Sequence, residues 1–337
     1  MSIGKILVVL TDSEKNDFLP ETLQKELSAI TPEIKWLNPD FINEHGWDDA
    51  LSSIKPEVLV TGWQTPRLPE APQKYMGSGL KYVCHLPGSV RKLVPRSWIE
   101  AGLIVTNWGR SVSHVVAECG LMLMIAGLRR AGYWNSAMHR NGAWKGPDLD
   151  TRSLFGKKVG IHGFGAISSC LVRLLEPFDV QVSTYSPAVP DAILNEFGVS
   201  RSPSLEALFS ENQVIVELAS LTPQTEGIVT ETLLRSIPDG GLFVNLGRGA
   251  VVDEAALARV CSEGNLHAAL DVYTVEPLAG DSPLRRLDNV LLLPHIGGPT
   301  VDQRRTAGAY GVSNIKRFSR GEAMEAIVNL EIYDRST

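Results

Sequence analysis

The chain lacks any hydrophobic run long enough to span a bilayer. Its apolar stretches at 6–10 and 121–128 have the lengths of a buried strand and part of a core helix, so neither a membrane anchor nor a signal-peptide core is expected. It also lacks a Cys-x-x-Cys spacing. The four cysteines, Cys84, Cys119, Cys170 and Cys261, lie far apart, which fits free thiols in the cytoplasm and leaves no expected disulfide or metal site. There is no basic run beside stacking aromatics. Lys and Arg number 32 against 38 Asp and Glu, a net charge of −6, so nucleic acid is not an expected partner and any small anion must be met by local charge. Low-complexity segments and solenoid repeats are absent too. What is present is a 337-residue chain, 44% hydrophobic, long enough for two domains with their own cores.

Residues 5–10, 58–62, 80–85 and 104–107 read as short buried parallel strands, with a helical stretch around 21–30. From Ser113, the apolar residues Val115, Val116, Leu121, Leu123, Met124 and Leu128 mark a long helix. It closes on Arg129 and Arg130, charges that suit a helix C-terminus, and is expected to cross between domains. A second α/β series starts at Val159 and continues through strands at 180–185, 213–218, 241–246, 268–272 and 290–293. A helix over 302–320 comes too late to extend that sheet and is assigned to the first domain.

Residues 160–168 read Gly-Ile-His-Gly-Phe-Gly-Ala-Ile-Ser, a strand entering a glycine-rich turn at a helix start. Gly163 can make the tight turn and Gly165 lets backbone approach a phosphate. The amides from Ala166 onward, with the positive end of the helix dipole, can hold a dinucleotide pyrophosphate. The usual third glycine is replaced by Ser168. The expected fold class is therefore α/β: a Rossmann-type doubly wound parallel sheet over 107–301, and a smaller flavodoxin-like substrate domain from 1–106 and 302–337.

Three later segments follow apolar strands: 245–253 with Arg248, 271–277 with Glu276, and 293–298 with His295. Ligands of open α/β sheets bind outside the carboxyl ends of strands, where these side chains can converge. Guanidinium binds carboxylate bidentately. A histidine titrates near neutral pH, and a neighbouring carboxylate favours its protonated form.

In order and approximate spacing, these segments, the glycine loop and Leu221-Thr222-Pro223-Gln224-Thr225 resemble the NAD(P)-dependent D-isomer-specific 2-hydroxyacid dehydrogenase family. The resemblance covers nearly the whole chain. It implies that Arg248 holds the substrate carboxylate and polarises the 2-oxo group, His295 is the acid/base, and Glu276 orients its imidazole. Related formate dehydrogenases carry glutamine at the position of Glu276, so the glutamate favours hydroxyacid chemistry. For the cofactor it implies contacts from Gly163, Gly165, Ala166, Ile167, Ser186, Ala219, Thr225, Leu246, Gly247, Gly297 and Gly298, with Asp271 on the carboxamide. It further implies a cleft between domains that closes around the hydride, a small 2-oxo or 2-hydroxy acid as substrate, and a homodimer formed through the helix near 113–130. The chain ends soon after its last helix, so no appended regulatory domain is expected.

The sequence departs from the family pattern in several places. Ser186 stands where an acidic residue usually takes the ribose hydroxyls, which favours NAD(H) while admitting NADP(H); the next arginine along the chain is Arg201. His162 replaces an aliphatic residue and reads as a satisfied core histidine. Gly88 and Ser89, in the loop after the strand at 80–85, are the expected contacts to the substrate carboxylate. Arg91 reads as a surface arginine, and Trp63 and Trp108 as pocket wall or core. The identity of the acid stays open, and so does a second class of function, a nucleotide-sensing binding protein like the dehydrogenase-related transcriptional corepressors.

Overall fold

The computed structural model describes residues 3–146 and 149–335. The chain divides into two compact units, Met1–Val112 with Pro299–Thr337, and Ser113–Gly298. These crossings replace the boundaries 106/107 and 301/302 read from sequence. Residues just after 106 stay with the first unit because Trp108 N donates to Pro87 O at 3.2 Å, and Gly109 lies so close to Tyr310 and Ala326 that a Cβ would approach Ala326 to 2.7 Å.

The first unit carries five parallel strands, β1 (Ile6–Val9), β2 (Ile34–Leu37), β3 (Val58–Thr61), β4 (Tyr82–His85) and β5 (Ile104–Thr106), in the order β2-β1-β3-β4-β5. β1, β3 and β4 are buried along their whole length, which explains why they are apolar apart from Thr61 and His85 at the ends of β3 and β4. Because side chains alternate across a strand, Leu7, Val9, Leu59 and Val83 join Trp98 on one face. Ile6, Val8, Val58 and Val60 meet Phe18, Leu27, Val312 and Ile315 on the other. The helix Arg304–Arg320 lies against the helix Asp12–Phe18 so tightly that a Cβ on Gly308 would sit 1.6 Å from Phe18 O. After it, Val328 N donates to Val105 O, tying the last described segment to β5.

The second unit carries seven strands: β6 (Lys158–His162), β7 (Gln181–Tyr185), β8 (Ser200–Arg201), β9 (Val214–Glu217), β10 (Gly241–Asn245), β11 (Leu266–Leu270) and β12 (Val290–Leu292). They run parallel in the order β12-β11-β10-β9-β6-β7-β8. The chain steps outward from β6 to β7 and β8, then returns to β9 on the other side of β6. The strand order thus reverses between β6 and β9, the kind of place where open α/β sheets bind ligands. Apolar clusters cover both faces of the sheet. The helix Ser113–Leu128 packs on β10, β11, β12 and the helix Ala166–Leu175. Both sheets fit the α/β class, one Rossmann-type and one flavodoxin-like.

Candidate active site

The glycine turn follows β6 directly. Gly163 has φ +85°, and a Cβ there would stand 2.8 Å from Ala219 Cα, so only glycine lets the turn pass this close to the segment after β9. At Gly165, which precedes the helix Ala166–Leu175, a Cβ would meet nothing within 4 Å. The first backbone bond into that helix is Ser169 N to Gly165 O, so the amides of Ala166 and Ile167 precede the helical ladder. A pyrophosphate fits both the room and the donors. Ser168 is buried, and its hydroxyl donates to Gly163 O at 2.9 Å; the residue that replaces the third glycine braces the turn.

The other expected nucleotide contacts are less open. Ala219 N donates to Glu217 Oε1, and Gly247 N to Glu217 O and Asn245 Oδ1, so both amides are already spent within the protein. Leu246 is buried, and its N–H also reaches Glu217 O. Thr225 spends its hydroxyl within the loop, donating to Ser220 O and accepting from Thr222 N. Ser186 carries Arg201 on its carbonyl at 3.0 Å, while the same guanidinium binds Asp191 at 2.6 Å. The arginine that follows Ser186 in sequence therefore also lies beside it in space.

His295 and Glu276 meet at 2.7 Å, Nδ1 to Oε2, leaving Nε2 of the imidazole outward; the two side chains are 47% and 35% exposed. Glu276 Oε1 accepts Tyr273 N at 3.1 Å, and the Tyr273 hydroxyl donates to Leu293 O at 2.7 Å, coupling the loops after β11 and β12. His295 adopts φ 55°, a left-handed conformation uncommon outside glycine. Asp271, 2% exposed, holds the next two residues by accepting Ile296 N on Oδ1 and Gly297 N on Oδ2, each at 2.8 Å. A Cβ on Gly297 would fall 2.6 Å from Asp271 Oδ2, whereas Gly298 has open space around it.

Arg248 leaves the end of β10 in a turn held by Asn245, whose side chain accepts Gly247 N and donates to Arg248 O. Its guanidinium donates to Gly247 O at 2.7 Å. Burial draws the Arg248 guanidinium below its ordinary pKa, while the charge of Glu276 pushes it back up. Gly249 packs against the Tyr273 backbone where no side chain fits, which brings the Arg248 turn to the Glu276 loop. The structure thus gathers Arg248, Glu276 and His295 at the carboxyl ends of three neighbouring strands. Among the described residues no group of three His, Cys, Asp or Glu side chains could hold a metal ion.

In the first unit, the loop after β4 is built around Gly88, whose missing Cβ would lie 2.6 Å from Trp108. Asn107 donates to Gly88 O at 2.6 Å, and the Ser89 hydroxyl is buried without a hydrogen-bond partner among the described residues. Trp63, 44% exposed, meets Trp108 edge-on at 6.1 Å between centroids and lies under the Arg304 guanidinium. Arg91 is exposed and lies over Tyr333. Sequence reasoning missed His85, which ends β4 beneath this loop, 3.0 Å from the Thr61 hydroxyl. It also missed Glu217, the buried partner of His162. A histidine in an otherwise apolar strand was the available signal for both.

This unit of parallel strands, with a glycine turn at the switch point and an Arg, Glu and His at adjoining strand ends, is a dinucleotide-binding domain of dehydrogenase type. Residues 121–297 match the family model described as D-isomer specific 2-hydroxyacid dehydrogenase, NAD binding domain. The chain belongs to that family. It is 32% identical over 232 residues to D-3-phosphoglycerate dehydrogenase of Methanocaldococcus jannaschii, covering 68% of this chain and 44% of that one; it thus spans less than half the length of that relative. It is also 32% identical over 228 residues to glyoxylate/hydroxypyruvate reductase A of Arabidopsis thaliana, covering 67% of this chain and 71% of the relative. The fold is shared with the NAD-complexed D-isomer specific 2-hydroxyacid dehydrogenase of Lactobacillus delbrueckii ssp. bulgaricus. That likeness has a TM-score of 0.80 at 18% identity and covers 97% of this chain and all of that one.

Burial lowers the pKa of His85 from 6.5 to about 3, so the folded protein holds it neutral at physiological pH. The unfolded chain binds a proton below about 6.5 that the folded chain refuses until about 3. The contribution of His85 is therefore full above pH 6.5 and declines as the pH falls through this window. The melting temperature of His85→Gln should fall less between pH 7 and pH 4 than that of the wild type. Parallel melting curves would contradict the assignment.

Proposed function

We propose that this protein is an oxidoreductase that transfers a hydride between NAD(P)H and a small 2-oxo acid, giving the D-2-hydroxy acid, or the reverse. The observation that carries the reading is the His295–Glu276 pair beside Arg248, on a domain of a family that binds NAD. When bound, the nicotinamide supplies or accepts the hydride. Arg248 binds the substrate carboxylate through charge-assisted hydrogen bonds and polarises the 2-oxo group. His295 gives the proton on Nε2 to the carbonyl oxygen during reduction and takes it back in oxidation. Glu276 fixes the ring by accepting from Nδ1–H, which leaves Nε2 to exchange the proton.

Cofactor contacts are assigned to Gly163, Gly165, Ala166, Ile167, Ser186, Ala219, Thr225, Leu246, Gly247, Asp271, Gly297 and Gly298. In the first unit, Gly88 and Ser89 are assigned to the substrate carboxylate. The curated relatives named as glyoxylate and hydroxypyruvate reductases support a short 2-oxo acid. Four free thiols, two of them buried, support a cytoplasmic location.

The helix Ser113–Leu128 is apolar on nearly all sides yet leaves Met122 and Ile125 exposed, as are Met138 and Trp144 soon after it. A second copy of the chain is the proposed cover for this surface, making a homodimer. Sedimentation at micromolar concentration should give a dimer, and a strictly monomeric profile would refute it.

With a short 2-oxo acid as substrate, His295→Ala should lower kcat by roughly 10²–10⁴-fold while NADH binding stays near wild type. Arg248→Ala should lower kcat and raise the KM for the acid. Unchanged kinetics in either variant would remove that residue from its role. Ser186→Asp would place a carboxylate where the ribose hydroxyls bind, and should raise the KM for NADPH over that for NADH by about tenfold or more. An unaltered cofactor ratio would show that Ser186 lies away from the ribose.

A further inference from the structure

At the switch point of the second sheet, His162 ends β6 and Glu217 ends β9, directly opposite each other in the parallel register. Both are buried, and His162 Nδ1 lies 2.6 Å from Glu217 Oε2. Their strand neighbours Ile161 and Val216 are apolar and fully buried. A carboxylate and an imidazole here carry a desolvation cost that two aliphatic side chains would avoid.

The bonding around Glu217 shows what the pair holds. Its second oxygen, Oε1, accepts Ala219 N at 2.8 Å. Its backbone carbonyl accepts Gly247 N at 3.1 Å and Leu246 N at 3.4 Å. Ala219 in turn forms the wall that the Gly163 turn approaches more closely than any Cβ would allow. One residue therefore ties together the glycine turn, the segment after β9 and the segment after β10. A carboxylate accepts both the Nδ1–H and the Ala219 N–H, one on each oxygen.

We propose that Glu217, anchored by His162, is a positioning residue for nucleotide binding. Its carboxylate fixes the backbone at Ala219, which sets the Gly163 turn and with it the direction of the Ala166 and Ile167 amides. The proposal rests on the reading of this unit as the family's NAD-binding domain.

The test compares Glu217→Gln, His162→Val, Glu217→Val and the double variant by melting temperature and by NADH affinity from fluorescence titration. Glu217→Gln retains an acceptor for Ala219 N–H and should bind NADH within a few-fold of wild type. Each Val variant should weaken NADH binding by roughly tenfold, about 1.4 kcal/mol. In the double variant the melting temperature should recover, because no charge is left buried without its partner, while NADH affinity stays weakened.

A double variant that regains both stability and affinity would reduce the pair to core filling and overturn the proposal. If the double variant does not fold, His162→Val decides alone: unchanged NADH affinity in the folded protein overturns the proposal equally. Wild-type protein that binds neither NADH nor NADPH would remove the reading of the unit itself, and the proposal with it.

Discussion

The two backbone bonds that Asp271 accepts from Ile296 and Gly297 are the constraint on which the placement of His295 depends. β12 is only three residues long and partly buried, too little structure to aim an exposed imidazole. Asp271 draws the following loop across the end of β11, and Gly297 permits the approach because it has no Cβ to meet the carboxylate. His295 is thereby held in a left-handed conformation with Nδ1 against Glu276. Two amides satisfy a carboxylate that would otherwise be buried at high cost, so the same bonds stabilise the fold and orient the histidine.

The parallel sheet supplies the rest of the arrangement. Every strand of the second unit delivers its carboxyl end to one edge, so residues far apart in sequence arrive together without long-range design of each pair. Asp271 and Glu217 are buried and Glu276 is part-exposed; each accepts a backbone amide, and Glu217 and Glu276 also each face an imidazole.

The strands whose residues are buried on both faces were legible in the sequence, because β1, β3, β9 and β10 each carry an apolar run of at least three residues. β2 and β8 were not. β2 is a half-buried edge strand that mixes Lys with apolar residues, and β8 has two exposed residues fixed by pairing with β7 alone. Arg248, Glu276 and His295 could be named because each follows an apolar strand in a recognisable short motif. The hydrogen bonds of Asp271 and the His162–Glu217 pair depend on strand order, which places residues 55 apart in the chain side by side. Local pattern carries no trace of that order.

The most direct measurement follows the absorbance of NADH and NADPH with purified protein and a panel of 2-oxo acids: glyoxylate, hydroxypyruvate, pyruvate, phenylpyruvate, 2-oxoglutarate and phosphohydroxypyruvate. Oxidation of reduced nucleotide with at least one acid is expected, with NADH used at least as well as NADPH and the D-hydroxy acid as product wherever the product is chiral. Nucleotide binding without turnover of any acid would contradict it, and would make the protein one that senses the nucleotide rather than consuming it.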